Sequence, residues 1–169
     1  METLHIYSPH FFSRKLQVTD SEKHTVLYNV RYKTLGRPDM IVNRGQGKDD
    51  DNVIGSLTFR CWSSDIDAET PLGRIQMTKK SCFSGSHHFT CDGSTWCWKR
   101  GGGFYCHLQL VDDNGRPVAT LERPAWACRK QGTITVLQEV SSSTLDVIVI
   151  TALAKLEAKR RQERRNQGN

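Results

Sequence analysis

The sequence predicts a mainly β fold, a closed antiparallel barrel of about twelve strands around a buried C-terminal α-helix. Three observations lead there. Short runs of alternating apolar and polar residues recur from about residue 3 to about residue 139. Turn signals separate them at the regular spacing of a barrel or sandwich. The period then changes, and a segment apolar on every face opens a helix expected over about 144–165.

The runs over 4–7 and 14–19 are short strands. The clearest strand is 25–33, where Val26, Tyr28, Val30 and Tyr32 share one face and Asn29, Arg31 and Lys33 the other. A period of two marks a half-buried strand. Gly36 and Pro38 signal a turn before a strand over 39–43. The alternation returns over 52–62, with Val53, Leu57, Phe59 and Cys61 opposite Ser56, Thr58 and Arg60. Strands are expected over 73–78, 81–90 and 94–99. Over 103–111, Phe104, Cys106, Leu108 and Leu110 alternate with Tyr105, His107 and Gln109. Asn114 and Gly115 are expected to supply the two positive-φ residues of a tight hairpin, from which 116–122 returns. The last strand is 132–139.

Ser143, with Asp146 three residues on, reads as a capping-box start, and Asp146 suits the positive end of the helix dipole. Leu145, Val147, Ile148, Val149, Ile150, Ala152, Leu153 and Leu156 follow, and residues 147–150 alone cover most of the helix circumference. The apolar stretch falls short of the roughly 18–20 residues that cross a bilayer. A closed sheet of about twelve strands leaves a lumen wider than its own side chains fill. A helix roughly 10–12 Å across needs a complete apolar sheath. Each element answers the other's problem, so the helix is expected to thread the barrel and emerge as a basic segment at its mouth.

The 169 residues are read as one domain over 1–169, with a hydrophobic fraction of 37% that supports a core. No basic stretch followed by an apolar one opens the chain, so no export signal is read. A cytoplasmic protein is expected, peripheral to a membrane at most. Cys61, Cys82, Cys91, Cys97, Cys106 and Cys128 are then expected to be reduced thiols. His87, His88, Cys91, Cys97, Cys106 and His107 lack closely paired ligand spacing, so no metal is expected, and no cofactor motif is found.

The strand pattern, and above all Thr144-Leu-Asp-Val-Ile-Val-Ile-Thr-Ala-Leu-Ala154 running into Lys-Arg-Arg-Gln-Glu-Arg-Arg, resembles a fungal family of unknown function. That family is grouped with the tubby C-terminal-like domains, beside the LURP-one-related proteins and the phospholipid scramblases. The resemblance spans nearly the whole chain and implies a closed barrel around a buried helix. It also implies, by analogy, the phosphoinositide binding of tubby domains; no tubby-type motif maps residue by residue, so no binding residue is carried over.

Two features of the residues themselves suggest binding. Lys155, Lys159, Arg160, Arg161, Arg164 and Arg165 against Glu157 and Glu163 give the helix exit +4 of the chain's net +6. A solvated helix end explains such a run. Contact with an anionic surface through Lys159, Arg160, Arg161, Arg164 and Arg165 is the functional reading. The second feature is Trp96, Trp98, Lys99 and Arg100 before three glycines, which reads first as a hairpin tip. As a ligand site it would use Trp62, Trp98, Lys99 and Arg100. The acidic runs of Asp49, Asp50 and Asp51 and of Asp65, Asp67 and Glu69 lack the EF-hand pattern and read as loops. Nucleic acid is not favoured, since no recognition motif accompanies the charge.

These readings add up to a monomeric, non-catalytic binding module for anionic lipid or phosphoinositide headgroups at a membrane surface. The alternatives are a small enzyme with a pocket between barrel and helix, using His87, His88 or His107 as a base, and a protein-interaction module. No catalytic residue is assigned, because no nucleophile or metalloenzyme signature is present.

Overall fold

The computed structural model describes residues 1–9, 13–46, 52–79, 85–102, 107–124 and 129–168. Its strands are β1 (Glu2–Tyr7), β2 (Lys15–Thr19), β3 (Val26–Tyr32), β4 (Met40–Arg44), β5 (Val53–Phe59) and β6 (Ile66–Thr70). They continue with β7 (Gly73–Met77), β8 (His87–Cys91), β9 (Ser94–Arg100), β10 (His107–Val111), β11 (Pro117–Glu122) and β12 (Lys130–Val136). The helix α1 spans Ser142–Gln167.

All twelve strands belong to one antiparallel sheet in the order β7-β6-β5-β4-β3-β2-β1-β12-β11-β10-β9-β8. Sequence neighbours pair, and β1 joins the two halves by pairing with β12. The outermost strands meet at a seam: Thr78 and His88 each donate a backbone N–H to the other's carbonyl at 2.8 Å. The result is a nearly closed twelve-stranded barrel.

The period-two reading is borne out where it was clearest. Tyr28 and Val30 of β3 and Leu57 and Phe59 of β5 point inward and are buried. The helix fills the lumen. Every residue from Asp146 through Glu157 is buried, and Ile148, Val149, Ile150 and Leu153 are wholly so. Gly55 of β5 makes room for it: a Cβ there would stand 2.6 Å from Ile150 Cδ1 and 2.4 Å from the Glu69 carbonyl oxygen.

Five local readings change. The helix begins earlier than expected, with Ser141 rather than Ser143 at the N-cap, its Oγ accepting from the Thr144 N–H at 3.1 Å. Asp146 is not a dipole partner at the helix start; it lies inside the barrel, where the Tyr28 hydroxyl donates to Oδ1 at 2.9 Å and Arg44 pairs with Oδ2. Only Gly115 has positive φ in the β10–β11 hairpin. Asp112 shapes that turn by accepting from the Asn114 and Arg116 N–H groups, at 3.0 and 2.8 Å. The acidic run 65–69 is half strand: in β6, Ile66 and Ala68 face inward, leaving Asp67 and Glu69 to pair outside with Arg60 and Arg74. Finally, β5 ends at Phe59, so Cys61 is exposed rather than inward. The readings for Asp49, Asp50, Asp51, Cys82, Phe104, Tyr105, Cys106 and Cys128 fall outside the described residues.

Candidate functional site

Helix α1 enters at one end of the barrel, the base, beside Tyr28 and Arg44, and leaves at the other, the mouth, where odd-numbered strands end and even-numbered strands begin. At the mouth a cavity of about 1240 Å³ lies between the helix and the strand ends. Among the described residues, nine lysines and arginines line it against two aspartates, Asp39 and Asp65.

One side of the emerging helix is saturated with ion pairs. The Glu157 carboxylate, almost wholly buried, accepts from the Tyr32 hydroxyl at 3.1 Å, from Arg161 Nε at 3.0 Å and from Arg164 Nη2 at 2.8 Å. Arg160 stands 4.0 Å from the same carboxylate and donates to Tyr32 Oη and Gln131 Oε1. Arg161 also donates to Asp39 Oδ1 at 3.1 Å and lies over the Phe59 ring, 4.2 Å from its centroid. Asp39 in turn accepts the Phe59 N–H at 2.8 Å. Burial first, and then the Glu157 charge, push the Tyr32 hydroxyl's pKa up, so it stays a donor. Farther out, Arg123 grips Glu163 through two hydrogen bonds.

The other side faces the cavity. Arg37, Lys79, Arg100, Lys155, Lys159 and Arg165 line it, and none has a carboxylate ion-pair partner among the described residues. Lys155 is the deepest, 6% exposed on the helix surface. Its Nζ donates to the Gly85 carbonyl at 2.7 Å and to His87 Nδ1 at 2.8 Å. His87 Nε2 lies 3.0 Å from the Ser64 carbonyl, which only an N–H satisfies, so Nδ1 is the bare nitrogen. Burial, reinforced by the Lys155 charge, lowers the imidazole pKa to about 4. Burial, reinforced by Lys79, lowers the Lys155 ammonium to about 8.

The structure separates the residues that the sequence grouped. Of the five basic exit residues, Lys159 and Arg165 line the cavity beside Arg161, whereas Arg160 and Arg164 do not. Arg160, Arg161 and Arg164 are all committed to Glu157. Trp62 stands fully exposed on the β5–β6 connection at the cavity rim, and Arg100 joins it there. Trp98 does not. It is wholly buried, and its Nε1 donates to Thr151 Oγ1 on the helix at 3.0 Å. The inward parity of a strand decides this, and the same parity turns Lys99 outward, away from the cavity. Trp98 is thus a core residue, and its indole closes the one polar group in the apolar stretch of the helix. His88 is also outward, with Cys97 Sγ 3.5 Å from its Nε2. His107, beside Glu122 at 3.5 Å, reaches the cavity. No group of three potential metal ligands occurs among the described residues.

Sequence reasoning missed the Lys155–His87 pair, because the two residues are 68 positions apart. The Glu157 clamp left a signal: arginines three, four and seven residues after a glutamate lie on one helix face.

Residues 13–162 match DUF6593, a family of unknown function. The chain belongs to this family. The DUF6593 match covers the strands from β2 onward and the buried part of α1, with Glu157, Arg160 and Arg161 of the clamp but not Arg164. No curated protein and no solved structure matches the chain. The barrel with its central helix is compatible with the tubby-like group. No helix among the described residues is long and apolar enough to cross a membrane.

Proposed function

We propose that this DUF6593 protein is a binding module that sets the mouth of its barrel against an anionic membrane and takes a phosphorylated lipid headgroup into the cavity. The observation that carries this reading is the imbalance of charge at the mouth: six cavity cations have no carboxylate partner among the described residues. A concave site walled by one sign of charge concentrates ligands of the other. Two exposed apolar side chains, Trp62 and Leu35, stand on connections at the same end. Tryptophan suits the headgroup boundary, with an apolar ring and a polar N–H. The family resemblance to lipid-binding tubby domains supports the same ligand class. The protein works at the surface of the bilayer and not across it.

Vesicle pelleting tests this at low and physiological salt, comparing neutral vesicles with vesicles carrying phosphatidylserine or a phosphoinositide. Binding is expected to anionic vesicles only, falling as salt rises. A Lys159→Glu, Arg165→Glu double variant and Trp62→Ala are each expected to weaken it severalfold. Equal pelleting with neutral vesicles, or none at low salt, sinks the reading. A second reading, a small enzyme working in the same cavity, draws support from the buried Lys155–His87 pair.

A further inference from the structure

Lys155 is an unusual place for a charge. It lies inside a barrel, on a rigid helix, 6% exposed, at the floor of a large cavity. No carboxylate pairs with it among the described residues; its partners are a backbone carbonyl and an uncharged imidazole. The charged and titratable groups that act on it are Lys79, His87 and Cys97, and Asp65 acts electrostatically on His87. A purely structural role for a polar group here would be met more cheaply by a neutral side chain, because a buried unpaired ammonium carries a desolvation cost. What an amine offers that such a side chain does not is nucleophilicity, and desolvation beside a second cation is how proteins activate lysine for carbonyl chemistry.

We propose that Lys155 is a reactive amine that captures anionic aldehydes or ketones as a reversible imine. The cation excess of the cavity draws in a carbonyl compound bearing a carboxylate or phosphate, and Lys159, Lys79 or Arg165 holds its charge. The unprotonated Nζ adds to the carbonyl carbon, forming the C–N bond as the carbonyl π pair moves to oxygen. His87 Nδ1, 2.8 Å away with its lone pair directed at Nζ, takes a proton from the nitrogen and returns it to the oxygen. The carbinolamine then expels that oxygen. The carbonyl oxygen leaves with the two amine hydrogens as water, C=N replaces C=O, and no oxidant or reductant is consumed. Gly85, whose carbonyl accepts from Nζ, aims the amine along the cavity floor. Lowering the ammonium from 10.5 to about 8 raises its free-amine fraction at neutral pH by on the order of a hundredfold over an ordinary lysine.

The test uses the full chain with two probes, pyridoxal 5′-phosphate and the smaller glyoxylate, followed by borohydride reduction and peptide mass mapping. The chain has ten lysines, so selectivity is readable. The expected result is one dominant adduct, on Lys155, about tenfold above Lys159, with a pH midpoint well below that of ordinary lysines. A neutral aldehyde such as acetaldehyde is expected to label Lys155 more weakly. Lys155→Arg keeps the charge and is expected to abolish the dominant adduct; if that variant does not fold, the mapping on the unsubstituted chain decides alone. Labelling spread over the exposed lysines, or Lys155 left unmodified by both probes, overturns the proposal. The outcome is independent of membrane binding, since no vesicle is present.

Discussion

The two sides of the emerging helix carry the same charge and do different work. Arg160, Arg161 and Arg164 surround the buried Glu157 carboxylate and lock the helix to Tyr32, Asp39 and Gln131. Lys155, Lys159 and Arg165, on the same few turns, face a cavity and have no carboxylate among the described residues. Basicity alone therefore identifies neither structure nor site. The counter-ion decides: where the protein supplies it, the cation holds the plug in place, and where it does not, the cation is left for a ligand.

The largest effect expected comes from removing the plug itself. A chain ending at residue 141 loses the whole helix against which the inward strand side chains pack, and should show no cooperative thermal transition by circular dichroism. Glu157→Gln is next. It leaves three arginines facing a neutral amide in a buried setting, and a loss of about 3 kcal/mol is expected in urea unfolding. Lys159→Gln and Arg165→Gln, on the cavity side, should each change stability by under about 0.5 kcal/mol. Equal losses from the two sides would erase the distinction between clamp and site.

The cavity floor is tested by acid. In the unfolded chain His87 takes up a proton near 6.5, while in the fold it stays neutral down to about 4. The unfolded state binds more protons in that window, so stability falls as pH drops from about 6.5 to about 4 and levels off below. A loss on the order of 2 kcal/mol is expected in unfolding curves taken across that range. His87→Asn should flatten this part of the profile. Lys155 acts in the same direction at higher pH: stability should rise between about 8 and 10.5, where the unfolded chain still holds the proton the fold has lost. A smaller loss is expected at Gly115. It is the one positive-φ residue of the β10–β11 turn, and Gly115→Ala should cost roughly 1 kcal/mol.

Much of the barrel was legible because its causes are local. Alternation over β3 and β5 fixes which side chains face inward, and a helix apolar on all sides has to be enclosed. Strand β6 escaped because its outward positions are acidic and hide the inward Ile66 and Ala68. Trp98 was misplaced because a basic, glycine-rich neighbourhood draws attention from strand parity, which puts the indole on Thr151.

By itself the sequence determined the class of fold, the threaded helix and the basic character of the end where it emerges, since each follows from side-chain period and composition within a short window. Only the tertiary structure decided which cations are spent and which face the cavity, and brought Lys155 to His87. Those pairings join positions far apart in the chain, and their chemistry depends on burial, a property of the enclosed barrel that no single segment possesses.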